Sequence, residues 1–297
     1  MKKLSYLFVL LAGILWGSMG IFVRKFNSRG LEAMDIVFLR AFVTFVVLFL
    51  IILMYDRRLL VIRIRDLWCF LGTGIASITF FNFCYFNAMK EGSLSMAAIL
   101  LYTAPAIVML LSFVIFREKL SVIRIMALVI TFVGCGLVTG AFLPGQEVHV
   151  KGVMYGLGAG LGYALYSIFS RFALQRGYNS LTITFYTFLV TTVSTLCLVD
   201  MNKIFKIAFS NWPISLFSVS FGILCTVAPF LLYTLGLVYL DNSKASIIAS
   251  VEPVFAGVIG TLIFKERISI SGFIGILLVI AAIIMCAFDK NGRVTET

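Results

Sequence analysis

Long apolar runs separated by short charged connectors dominate the chain, and each run is close to the ~20 residues that a helix needs to cross a bilayer. On that pattern the sequence predicts spans at Leu4–Phe26, Met34–Met54, Trp68–Ala88, Leu94–Phe116, Val122–Phe142, Gly152–Ala173, Leu181–Val199, Ile214–Val238, Lys244–Phe264 and Ile270–Phe288. Charge gathers in the connectors, such as Tyr55 to Asp66, Arg117 to Ser121 and Asp200 to Asn211. The longest break in apolarity, Pro144 to Lys151, leaves five spans on either side. The predicted fold is therefore an all-α integral membrane protein of ten transmembrane helices. Met1-Lys2-Lys3 ahead of an apolar run imitates a secretory leader, but the run continues to Phe26, beyond a leader's apolar core of about 7–15 residues.

The two halves are copies. Ser95 to Lys119 aligns without a gap on Ser243 to Arg267, so that Pro105 meets Pro253 and Glu118 meets Glu266. Upstream, Gly74 meets Gly222 and Tyr85 meets Tyr233, while Gly13 and Arg24 of the first span meet Gly160 and Arg171 of the sixth. A leader removed from the mature chain would have no place in such a duplication. The sequence thus divides into two five-helix repeats, residues 1–143 and 150–290. Because five is odd, the second repeat must enter the membrane from the opposite side, which makes the repeats inverted. More Lys and Arg fall on the side of the N-terminus, Arg57, Arg58, Arg63 and Arg65 among them, and cytoplasmic segments carry such an excess. Both termini are expected in the cytoplasm, with the protein in the cell membrane.

Composition narrows the function. Only 12% of residues are charged and 61% are hydrophobic, so the chain cannot wet its own surface and takes the lipid bilayer as solvent. The net charge of +11 sits in the connectors, where it meets anionic headgroups rather than nucleic acid. Six scattered Cys and a single His, His149, offer no metal site and no His-based triad; no cofactor is expected. A second copy of the chain is allowed as a partner. Glycines spaced four apart, as Gly13 and Gly17 or Gly152, Gly156 and Gly160, suit close helix packing in lipid.

Polar groups inside spans are costly and must face a cavity or another helix. Trp16, Asn82, Tyr102, Tyr163, Tyr166, Tyr233 and Ser250 are the candidate substrate-binding residues, all on repeat-related spans. Thr79 and Asn82 are expected on one helical face. Pro105 and Pro253 each remove an intrahelical hydrogen bond and suggest paired bends, suited to gating. Arg40 lies near the start of its span and is read as snorkelling to the interface. Glu252 is too deep for that; it is either a proton carrier or a hydrogen-bonding group beside Pro253.

The marks Ala104-Pro105 with Arg117-Glu118-Lys119, and Glu252-Pro253 with Lys265-Glu266-Arg267, resemble the EamA-type branch of the drug/metabolite transporter superfamily. The resemblance runs from about Leu4 to Phe288. It implies ten helices, a central cavity between the halves, and export of amino acids or other small metabolites. The expected function is secondary active transport by alternating access. The alternative is a membrane-bound enzyme on a lipid or prenyl substrate, for which the spans offer one deep carboxylate and no clustered partners.

Overall fold

The computed structural model describes residues 2–92, 94–141, 149–265 and 269–289, and among these there is helix and no strand. Among the described residues, nine helices are long and apolar enough to cross a membrane: α1 (Leu4–Asn27), α2 (Ala33–Tyr55), α3 (Ile64–Glu91), α4 (Leu94–Phe116), α6 (Val150–Gln175), α7 (Ser180–Leu198), α8 (Trp212–Leu237), α9 (Asn242–Phe264) and α10 (Ile270–Phe288). A shorter apolar helix, α5 (Val122–Val138), completes the set. The fifth span was expected to reach Phe142; it ends sooner, in a turn at Gly140 with φ +71°, and Phe142 lies outside the described residues. Glu266 and Arg267 of the second repeat's mark lie outside them as well.

Successive spans alternate in direction. We call the side on which α1 begins the near face, and that on which it ends the far face. A short amphipathic helix, Met201–Ala208, lies on the far face, where the Lys203 ammonium stands 3.2 Å from Asp35 at the start of α2.

Repeat symmetry is visible in the breaks as well as in the spans. The helix of α4 stops at Leu101 and restarts at Ala104, and that of α9 stops at Ala249 and restarts at Val251. Pro105 and Pro253 sit in the first turn after these breaks, where a missing N–H costs least. Both helices then end at a left-handed residue, Arg117 (φ 55°) and Lys265 (φ 56°). In α3 and α8 the repeat-related feature is a widened π turn, at Gly72–Thr79 and Ile223–Val227. Such a turn leaves carbonyls without their usual donors. That of Gly74 accepts instead from the hydroxyls of Thr79 (2.9 Å) and Thr191 (3.4 Å).

The repeats interlock where side chains are absent. A methyl group on Gly275 of α10 would lie 2.6 Å from the carbonyl oxygen of Gly134 on α5, so these two helices meet backbone to backbone. Helix contact of this kind relies on dispersion, because lipid supplies no hydrophobic force between spans.

Candidate functional site

A cavity of about 680 Å³ lies between the repeats. Its floor is aromatic: Trp16 of α1 packs on Phe230 (ring centroids 5.1 Å apart) and Tyr233 (5.5 Å), and Tyr166 of α6 packs edge-on to Phe230 (4.9 Å). Its upper walls reach Arg24 and Asn27 at the end of α1, Met89 at the end of α3, Ser95 at the start of α4, and Thr139. Those positions all lie toward the far face, so the chamber runs from mid-membrane in that direction.

Trp16, Asn82, Tyr102, Tyr163, Tyr166, Tyr233, Glu252 and Pro253 line this cavity together. Two of the tyrosines spend their hydroxyls on helix pairing: Tyr166 Oη is 2.9 Å from Thr234 Oγ1, and Tyr233 Oη is 2.7 Å from Ser167 Oγ. Both still line the chamber. Ser250 and Pro105 lie apart from it. They border an adjoining void of about 10 Å³, at the lower limit for one water. The Ser250 hydroxyl donates to the Ser246 carbonyl one turn back (3.2 Å). Thr79 does not join Asn82 in the chamber lining. Its hydroxyl meets Ser194 of α7 at 2.7 Å.

Arg40 departs most from expectation. It does not snorkel: only 4% of it is exposed, and it lines the cavity beside Asn82. Its Nη2 donates to Asn82 Oδ1 (3.3 Å), and Nη1 contacts Met19 Sδ (3.8 Å). Asn82 is itself oriented by donating Nδ2–H to the Ile78 carbonyl (2.7 Å). On the opposite wall, Glu252 Oε2 accepts from the Tyr163 hydroxyl (3.3 Å). Arg40 and Glu252 do not pair with each other; among the described residues neither has an ionic partner within 4.0 Å.

The near face is closed by buried charge. Arg124 of α5, 1% exposed at its side chain, donates from Nη2 to Asp241 (2.5 Å) and from Nε to Asp289 (2.9 Å). Lys244 lies 3.6 Å from the same Asp289 carboxylate and donates to its backbone carbonyl. Beside this cluster Glu118 caps the first turn of α9, accepting from the amide of Asn242 (2.8 Å), the amide of Ser243 (3.3 Å) and the Ser243 hydroxyl. Arg124 and Glu118 belong to the first repeat and their partners to the second, so these bonds tie the halves together. Nothing in the spacing of the sequence points to this cluster, because its members come from four separate span ends.

Ten apolar helices in two inverted repeats, enclosing a polar and aromatic chamber, define a membrane transporter. The chain belongs to the EamA-like transporter family, whose model matches residues 3–140 and again residues 150–288. It is similar to an "uncharacterized transporter" of Archaeoglobus fulgidus, 27% identical over 282 residues that cover 93% of this chain and 94% of the relative. A Bacillus subtilis protein described as uncharacterized transporter YxxF is 27% identical over 73% of this chain and 69% of its own. A solved crystal structure shares the fold at a TM-score of 0.77 with 18% identity, over 96% of this chain and 98% of that one.

Proposed function

We propose that the protein is a secondary active exporter of amino acids or related small metabolites, working by alternating access with the interrepeat cavity as its substrate chamber. The observation that supports this reading is the pairing of a chamber reaching the far face with a near face tied shut across the repeats. Transporters of inverted repeats bind at the midplane and rock one bundle against the other. Here the rigid pieces are the half-helices on either side of the breaks in α4 and α9. With the termini in the cytoplasm, as the excess of near-face basic residues favours, the near face is cytoplasmic and the chamber opens outward, the state that releases an exported solute.

Counterflow in proteoliposomes tests the reading. Vesicles preloaded with a mixture of unlabelled amino acids should transiently concentrate at least one labelled amino acid from the medium. A channel would equilibrate the label without overshoot, and an enzyme would leave it outside. Either result, with the protein intact in the bilayer, would overturn the proposal.

A further inference from the structure

A seam between α6 and α8 also closes the near face. Its rungs are Tyr166 with Thr234, Ser167 with Tyr233, and Arg171, whose Nη1 donates to the carbonyls of Leu237 and Leu240 (3.3 Å to the second). Because α8 ends at Leu237, these carbonyls lie where the helix has run out of donors, and the helix dipole favours a cation there. The repeat alignment gives each rung a counterpart in the first repeat. Tyr166, Ser167 and Arg171 fall on Met19, Gly20 and Arg24 of α1, while Tyr233, Thr234 and Leu237 fall on Tyr85, Phe86 and Met89 of α3. All of these counterparts line the chamber. Leu240 falls on Gly92, the cap of α3.

One motion parts both seams. A methyl on Gly162 of α6 would lie 2.9 Å from Phe81 Cα of α3, and one on Gly236 of α8 would lie 2.3 Å from Val9 Cγ2 of α1. So α6 is packed tightly on α3, and α1 on α8. Rocking these two pairs against each other so that α6 leaves α8 brings α1 toward α3.

We propose, building on the transporter reading, that Arg24 is the far-face gate of the carrier. As the near seam opens, its guanidinium clamps the carbonyls of Met89 and Gly92 at the end of α3, as Arg171 now clamps those of Leu237 and Leu240. While the far face is open, Arg24 stands over the Phe264 ring of α9, 4.0 Å from its centroid, a contact that attracts a cation without an anion. The last turn of α3 offers the same kind of unsatisfied acceptor as that of α8. A guanidinium suits the task because its fork reaches two carbonyls at once. The other rungs do not transfer. Gly20 has no side chain to meet the Tyr85 hydroxyl, and Met19 with Phe86 is an apolar pair. Nor does the charged cluster transfer, since Gly272 takes the place of Arg124 in the second repeat. Of these contacts the arginine clamp alone passes from one face to the other, so far closure depends on Arg24 more than near closure depends on Arg171.

Electron–electron distance measurement between spin labels at Ser28 and Lys90, exposed far-face ends of α1 and α3, reads the far seam in the full chain in nanodiscs. Arg171→Ala should release the near seam and raise the short-distance fraction about fivefold or more, as loss of hydrogen bonds from a charged group implies. Arg24→Ala added to that background should undo the gain. Arg24→Lys, which puts a point charge in place of the fork, should undo part of it. Where Arg171→Ala is not folded by circular dichroism, Arg171→Lys takes its place, with a smaller rise expected. A short-distance fraction that ignores the Arg171 substitution would overturn the clamp, and so would a gain that survives Arg24→Ala. Counterflow separates this result from the transporter reading. Counterflow by a protein whose far seam ignores both arginines sinks the gate and spares the carrier, whereas the arginine response without counterflow does the reverse.

Discussion

Gly13 and Gly160 occupy equivalent places in the two repeats, and each lies against the break in the other repeat's discontinuous helix. A methyl on Gly13 would stand 2.8 Å from the carbonyl oxygen of Ala249 in α9, and one on Gly160 would stand 2.5 Å from Thr103 Oγ1 and 3.0 Å from the Leu100 carbonyl oxygen in α4. Pro253 and Pro105 deprive the carbonyls one turn before them of a donor. The glycines let a neighbouring backbone close over that exposed stretch.

Gly13→Ala and Gly160→Ala should therefore destabilise the protein by roughly 1–3 kcal/mol through overpacking, against a helix-propensity gain of at most about 1 kcal/mol. Gly20→Ala is the control. Nothing lies within 4 Å of a methyl there, so the propensity gain stands alone. Thermal unfolding in detergent should place the first two below the parent and Gly20→Ala at or above it. A lowered midpoint for all three would mean that glycine flexibility, rather than close approach, matters at these positions.

The near-face cluster should act as a latch. Arg124→Gln leaves Asp241 and Asp289 buried with less compensation, and breaking a buried pair on one side costs about 3–5 kcal/mol. The near-closed state bears that cost, so the population moves toward near-open. Spin labels at Lys119 and Val238, exposed near-face positions of opposite repeats, should move apart in the variant. An unchanged distance distribution would reduce the cluster to a static brace.

Glu118 gives the latch a pH dependence of definite sign. Burial raises its pKa above the ordinary value of 4.5, the hydrogen bonds from Ser243 and Asn242 pull it down, and the nearby Asp241 pushes it up, for a net rise. Once the near face opens, the side chain regains water and its ordinary pKa. The latched state then binds the proton more tightly, so its advantage is full below 4.5 and is lost as pH rises through the raised value. The Lys119–Val238 distance should shorten on acidification, and Glu118→Gln should flatten that response. A pH response of the same size in the Gln variant would assign it to another group.

Topology has its own check. Reporter fusions at Lys2 and after Arg293 should both report cytoplasm; ends found on opposite sides would be incompatible with ten spans.

The spans, the duplication and the paired breaks were legible because each is written in contiguous sequence: apolar length for the spans, Pro105 and Pro253 for the breaks. Most of the aromatic lining was legible too, since a mid-span tyrosine must turn its hydroxyl to a cavity or, as Tyr166 and Tyr233 do, to another helix. Arg40 was not. Depth along a span tells how far a side chain must reach for water, but not whether the inward direction offers Asn82 on another helix. Thr79 was read toward the chamber because its spacing to Asn82 does not reveal that Ser194, on another helix, takes its hydroxyl. The latch was hidden for a further reason. Arg124, Asp241, Lys244 and Asp289 each look like ordinary end-of-span charges, and only the folded arrangement brings them into one buried group.

One break has no counterpart. The helix of α1 is interrupted at Ser18, whose hydroxyl turns back to the Leu15 carbonyl (2.6 Å), whereas the equivalent position in the second repeat, Leu165, lies inside the uninterrupted α6. Identical repeats could trade conformations and produce two end states related by a two-fold rotation about an axis in the membrane plane, equally disposed to the solute from either compartment. A chain whose helix is interrupted in one copy and continuous in the other cannot do so. Its two faces differ in the work needed to expose the chamber, and the half-saturation concentrations measured from the two sides of the membrane should be unequal. The direction in which the carrier runs most readily would then be built into a single serine turn.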